Sequence, residues 1–349
     1  MRMKIELSAV ALAFASASGS AAAAPAFSTF VSSSDLDAVL SNHATIGFAY
    51  AGDKFVGSVY FGANNNQLYS TNLNGTGVAK FGAPVAGFSG EVYVSSSLGI
   101  GGFGPRDVYA GSEGVGTVYR FAHDGSSQGV FASGLVGGVR SIAFDPYGLY
   151  GNNMIVATHS GNVYSVSNTG VASLIAAVGA DTEGISFAPQ AFGSFAAGTL
   201  FVASEGLGTL TAISPGGVKT TVVSGLSLPE MVSFVPLNLG SSGNPVEGFY
   251  AASYPNNIQH SPASDFAPYI GDAIITGEGG SPVYDIRWDA GSQQFVTTII
   301  ATFPGQAEDG IFVTADIIAT NPVPEPRTYA LMLAGLGVVG WATRRRARG

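Results

Sequence analysis

The 349-residue chain contains no cysteine. It therefore forms no disulfide, holds no thiolate-bound metal and offers no thiol for lipid attachment. Charge is scarce as well. Only 11% of residues are Asp, Glu, Lys or Arg, and 23 acidic residues outnumber 14 basic ones. Seven of those basic residues (Arg2, Lys4, Arg327, Arg344, Arg345, Arg346 and Arg348) sit in the two ends. Between residues 25 and 322, seven basic side chains face 21 acidic ones, a formal charge of −14. A body this acidic repels phosphate backbones and anionic lipid, which excludes nucleic acid as a partner. It is compatible with cation binding or with plain solubility. The four histidines, His43, His123, His159 and His260, are scattered without metal-ligand spacing. The glycines of "LGIGGFG" lie among strands with no helix to follow, so a dinucleotide site is excluded.

What the chain does have is glycine, proline and aromatic residues: 49 Gly, 17 Pro, 22 Phe and 14 Tyr, with 46% hydrophobic residues overall. Disorder requires low hydrophobicity, so this chain folds, and its turn-rich, helix-poor composition points to many short strands. The stretches "SVYFGANNNQLYSTN", "DVYAGSEGVGTVYRF", "MIVATHSGNVYSVS" and "TLFVASEGLGTLTAIS" each read as strand, turn, strand. Their matching positions Val59, Val108, Ile155 and Phe201, with Phe249, recur every 46–49 residues. A second series, "IGFAY", "SIAFDP", "GISFAP", "MVSFVP" and "GIFVTA", supplies an alternating strand before each hairpin. A period in the forties made of several strands predicts an all-β propeller. Six blades fit best, with five or seven as alternatives. The long interval between Glu230 and Asp309 holds either an insertion, "NNIQHSPASDFAPYIGD" included, or a degenerate blade.

The two ends read as addresses. Arg2 and Lys4, an apolar run from Leu7 to Ala17 and small residues up to Ala24 have the layout of a secretory signal peptide, the substrate of signal peptidase. At the other end Pro324, Glu325 and Pro326 form an extended element that suits an enzyme's groove. Tyr329 to Thr343 carries no charge, and Arg344, Arg345, Arg346 and Arg348 follow. Fifteen helical residues rise about 22 Å, short of the roughly 20 residues that span a bilayer comfortably. The arginines predict a cytoplasmic carboxyl terminus. The expected organisation is a signal peptide (1–24), an amino-terminal lead-in (25–43), a propeller (44–320), a linker (321–328), and a transmembrane helix with a basic tail (329–349).

Pro-Glu-Pro, an apolar run and a terminal arginine cluster resemble the PEP-CTERM sorting signal of Gram-negative bacteria. The resemblance implies an integral-membrane exosortase as partner, removal of the tail, and delivery to the envelope, cell surface or extracellular matrix. It also implies a setting of exopolysaccharide and biofilm. The body resembles the blades of the SMP-30/gluconolactonase and NHL-type propellers, a likeness shared by binders and enzymes alike.

One constellation in the repeats carries chemistry. Glu91, Arg140, Glu183, Glu230 and Asp309, with Ala44 in the first copy, occupy matching positions before the alternating strands. Equivalent blade positions form a ring, so these carboxylates converge at one mouth of the channel, as Ca²⁺ or another divalent cation requires. Arg140 offers the competing reading, a structural ion-pair cluster. In SMP-30-like lactonases acidic and Asn side chains at comparable positions hold a catalytic metal, and "TEGISF" around Glu183 is the nearest match, although the Asn ligands lack counterparts. A second acidic set, Glu113, Glu205 and Glu278, falls in hairpin turns and reads as turn formers. The expected function is a non-catalytic binding scaffold for exopolysaccharide or envelope proteins, with "FGPRDVY" and "SYPNN" as aromatic loops that stack on sugars. The alternative is a metal-dependent lactonase or hydrolase.

Overall fold

A computed structural model describes residues 23–319. The expected transmembrane helix, the linker and nearly all of the signal peptide lie outside the described residues. Among the described residues no helix is long and apolar enough to cross a membrane.

Six four-stranded antiparallel sheets form six blades. The first four are built from consecutive strands, with inner strands Thr45–Tyr50, Val92–Ser96, Ser141–Phe144 and Ile185–Phe187. The fifth has inner strand Pro229–Phe234 and the sixth has inner strand Gln306–Val313. These six strands pack side by side around a central channel, and the last touches the first. Blade faces are apolar on both sides, so the second strands of the first five blades are buried along their whole length. Six apolar clusters fill the six gaps. One, for example, joins Phe48, Phe55 and Tyr69 of the first blade to Tyr250, Ile258 and Val313 of the sixth. The fold is a closed ring of equivalent interfaces.

The long interval in the repeat is neither a spare insertion nor a degenerate blade. After Phe234 the chain leaves the fifth blade and lays down Gly248–Tyr254 and Asn257–Pro262 as the middle strands of the sixth. It then returns through Ala273–Gly277, Pro282–Asp289 and Gln294–Thr302 to finish the fifth. Phe249 thus keeps the repeat spacing while belonging to the next blade. The lead-in is also part of the ring. Ser28–Val31 pairs with Asn257–Pro262 as the outermost strand of the sixth blade. The helix Ser33–Leu40, capped by the Ser32 hydroxyl accepting from the Asp35 N–H, buries Leu36 and Leu40 against the same cluster. The sixth blade therefore joins the amino-terminal, middle and carboxyl-terminal thirds of the chain, and every strand of the ring lies within residues 23–319.

Phe30 staples this closure, with ring centroids 4.8 Å from Tyr250 and 5.3 Å from Phe55. Replacing Phe30 by Ala is expected to cost about 2–3 kcal/mol, read as a lower midpoint of urea unfolding. An unchanged midpoint would show that the ring closes without this strand.

Candidate functional site

The inner strands all start at the same end of the channel, so the residues that lead into them meet there. The turns between second and third strands open on that same end. Arg140 lies at the centre of one side of the resulting mouth. It leads the third inner strand, behind Gly138, whose φ of +76° admits no side chain and whose added Cβ would collide with the Glu113 carbonyl oxygen. Arg140 Nη1 binds Glu91 Oε2, Nη2 lies 3.0 Å from Asp181 Oδ2 and 3.5 Å from Glu113 Oε1, and Nε lies 3.3 Å from Glu183 Oε1. His159 Nδ1 is 2.8 Å from the same Asp181 oxygen. Burial opposes the guanidinium charge, but the surrounding phenol and carboxylates outweigh it and raise its pKa.

Tyr93 ties this group together. Its hydroxyl lies 2.8 Å from Glu91 Oε2 and 2.7 Å from Glu183 Oε2, and it accepts from Arg140 Nη1 at 3.1 Å. A phenol has one proton, so with both contacts made, one of the two carboxyls supplies or shares a proton of its own. The same conclusion follows from Glu183 and Glu230, which are hydrogen-bonded to each other. Burial pushes Glu183 up to about 8. Burial and the nearby Glu183 and Glu308 charges push Glu230 well above the carboxylate range.

A second carboxylate group lies across the mouth. Glu230, Glu278 and Glu308 present oxygens within 4.8 Å of one another, as do Asp181, Glu183 and Glu205 on Arg140's side. Burial, then the charges of Glu91, Glu183 and Glu278, raises Glu308 well above its ordinary value. Glu308 is 1% exposed, and its buried Oε1 has no hydrogen-bond partner among the described residues. Glu278 accepts a hydrogen bond from Gln306 Nε2. Positive charge is therefore concentrated on one half of the mouth, and a hard cation with oxygen ligands matches the donor set of the other.

Below this layer the channel holds a cavity of about 260 Å³. Its wall includes Tyr93, Glu183, Glu230, Ser186, Ser233 and Asp309, and its far end is bounded by Tyr50, Arg106 and Ile317. Arg106 is 1% exposed, stacks over the Tyr50 ring at 5.3 Å and donates to the Ile317 carbonyl of the helix Ala315–Ala319.

Of the residues singled out in the sequence, Glu91, Arg140, Glu183 and Glu230 come together at the mouth. Asp309 does not join them. It lines the channel wall, accepting the Phe48 N–H at 3.4 Å along with the N–H groups of Val94 and Gly310, and burial raises it to about 7. Its neighbour Glu308 is the blade-six member. Counting back four residues from the recurrent phenylalanines Phe144, Phe187, Phe234 and Phe312 gives Arg140, Glu183, Glu230 and Glu308, a register visible in the sequence. Glu205 and Glu278, read there as turn formers, belong to the carboxylate groups, and Glu113 and His159 stand beside Arg140. Hairpin turns project into the mouth only once the ring is closed, so local sequence could not show this. The "FGPRDVY" loop lies at the opposite end with Phe103 and Arg106 buried, whereas Tyr254 of "SYPNN" is at the mouth.

Residues 322–346 match the PEP-CTERM protein-sorting motif. No curated protein matches the chain. Among solved structures, a protein proposed to be a gluconolactonase aligns at 10% identity over 84% of this chain and 86% of its own, with a TM-score of 0.51. A gluconolactonase of Xanthomonas campestris aligns at 14% identity over 83% and 90%, with a TM-score of 0.48. Virginiamycin B lyase of Staphylococcus aureus aligns at 12% over 76% and 73%, with a TM-score of 0.48. At such identities the likeness establishes the propeller fold alone.

Two outcomes follow from the electrostatics. An acid whose pKa is raised on folding binds more protons folded than unfolded between the two values, so stability falls as pH rises through that interval. For Glu183 the interval runs from 4.5 to about 8. In chelator-treated buffer the urea midpoint is expected to be higher at pH 5 than at pH 8, and a midpoint that rises toward pH 8 would contradict the raised carboxyls. Arg140→Met strands Glu91, Asp181 and Glu183 without their shared cation. At pH 8 it is expected to cost about 3–5 kcal/mol, and less at pH 5, where Glu91 and Glu183, both raised by burial, take up protons instead.

Proposed function

From a chain whose tail carries the PEP-CTERM sorting motif and whose body is a six-bladed propeller, we propose an exported, exosortase-processed binding protein of the envelope or extracellular matrix. Its acidic mouth holds a divalent cation. The observation that carries this reading is the Glu230–Glu278–Glu308 group: three carboxylates within 4.8 Å, one of them fully buried with an unpartnered oxygen. Such a group either keeps protons or takes a cation. Calcium suits it best, because Ca²⁺ accepts several carboxylate oxygens in flexible geometry. The tail supplies the route: signal peptidase and exosortase act in turn, and a transmembrane segment at 329–349 holds the precursor. Binding to exopolysaccharide or envelope proteins is the role this placement suggests.

A second reading, a metal-dependent lactonase or hydrolase, draws on the same carboxylates and on the printed names of the fold neighbours. Against it stands Arg140. Its guanidinium already engages Glu91, Glu113, Asp181 and Glu183, where an enzyme would need an open metal position.

Calorimetric titration of residues 23–319 with Ca²⁺, Mn²⁺ and Zn²⁺ tests the cation site. One bound ion is expected, weakened at least about tenfold in Glu230→Gln, the loss of one charged ligand being worth more than about 1.4 kcal/mol. No heat with any of the three would remove the cation reading, and turnover of a lactone by the loaded protein would favour the second one. In the producing cell, Glu325→Ala is expected to leave the tail uncleaved, seen as a heavier protein retained with the membrane. Normal processing of that variant would contradict the sorting role of the motif.

A further inference from the structure

The rim of the mouth is divided by chemistry. Where the second blade offers Glu113, the third His159, the fourth Glu205 and the fifth Glu278, the turns of the sixth and first blades offer Tyr254, Tyr60 and Phe61. Ala44, the carboxylate-free member of the inner ring, lies under this aromatic part, and its carbonyl accepts the Tyr60 N–H. The Tyr60 and Phe61 rings are 3.6 Å apart, and Tyr60 and Tyr254 are 6.4 Å apart. Phe61 is 58% exposed although its φ is +48°, a region bulky residues avoid. The buried Asn42 amide holds it there by donating to the carbonyls of Tyr60, Phe61 and Ala63. An exposed phenylalanine fixed in a strained backbone by a buried side chain is a preformed shelf.

On its sixth-blade side the shelf adjoins the carboxylates that form no ion pair among the described residues. Tyr254 pairs across the sixth blade with Gln306, Gln306 donates to Glu278, and Glu308 follows two residues along the same strand. The fully buried Glu308 Oε1, without a hydrogen-bond partner among the described residues, belongs to this group, so the pocket beside the shelf offers a carboxylate oxygen still open to a donor. Aromatic faces attract ammonium groups, and carboxylates accept their N–H bonds.

We propose that the mouth recognises an organic ammonium ligand. The amine enters among Glu230, Glu278 and Glu308, and the carbon skeleton that bears it lies on Tyr254, Tyr60 and Phe61. This rests on the reading that the mouth binds positive charge, and it names the class of ligand. An amino sugar and a polyamine share the chemistry. A uronic acid glycan is excluded by repulsion from the rim.

The test is calorimetry of residues 23–319 with glucosamine tetramer, its fully N-acetylated counterpart and spermidine. At least one of the two charged probes is expected to bind and the acetylated tetramer is not, because acetylation replaces the ammonium with a neutral amide. Phe61→Ala, which removes an exposed side chain, is expected to weaken the amine about three- to tenfold and leave calcium binding unchanged. Tyr254→Ala, checked for folding by circular dichroism, should do the same. Calcium heat without heat from either amine would overturn this inference and leave the cation site standing. Amine binding without calcium binding would support it and remove the divalent-ion reading. Equal binding of the acetylated tetramer, or indifference to both aromatic variants, would overturn it.

Discussion

Six inner strands run from one end of a channel, and four of the six residues that lead them are glutamates: Glu91, Glu183, Glu230 and Glu308. Ring closure forces these like charges into one small volume. Everything distinctive about the mouth is a response to that constraint. Arg140, the lead residue of the third blade, neutralises the carboxylates on its own side. Tyr93 shares its hydroxyl between two of them. On the far side Arg140 acts only at a distance, and burial with the neighbouring carboxylate charges makes Glu230 and Glu308 hold protons well beyond the range of an ordinary carboxyl. The site is stable as it stands only by keeping its acids neutral, which makes it a site for incoming positive charge.

The constraint depends on the ring being closed, and closure depends on chain order. The sixth blade takes its inner strand from the carboxyl-terminal end of the body, its middle strands from the excursion after Phe234 and its outer strand from Ser28–Val31. Loss of any one of the three segments opens the gap filled by Phe48, Phe55, Tyr250 and Val313. The chain leaves the ring through the helix Ala315–Ala319, which bounds the channel at the end opposite the carboxylates.

Much of this was legible in the sequence. The repeat of Val59, Val108, Ile155 and Phe201 specified blades, because a strand buried between two neighbours must be apolar on both faces and must return at blade length. The sorting motif was legible too, since its three parts are linear. The exchange of strands between the fifth and sixth blades was not, because Phe249 satisfies the period whichever sheet it joins. Half of the mouth was hidden for a related reason. Glu205 and Glu278 look like turn residues in isolation, and only the ring brings their turns over the channel. Asp309 and Glu308 are adjacent acids, and a one-residue slip exchanges the mouth for the wall.

The most direct measurement is the pH titration of the glutamate side-chain carboxyls by carbon-13 NMR, in residues 23–319 freed of metal. The account predicts that at least one glutamate titrates near pH 8, and that this resonance is absent in Glu183→Gln. Glutamates that all titrate near their ordinary value of about 4.3 would contradict it, because the mouth would then tolerate its charges without a cation.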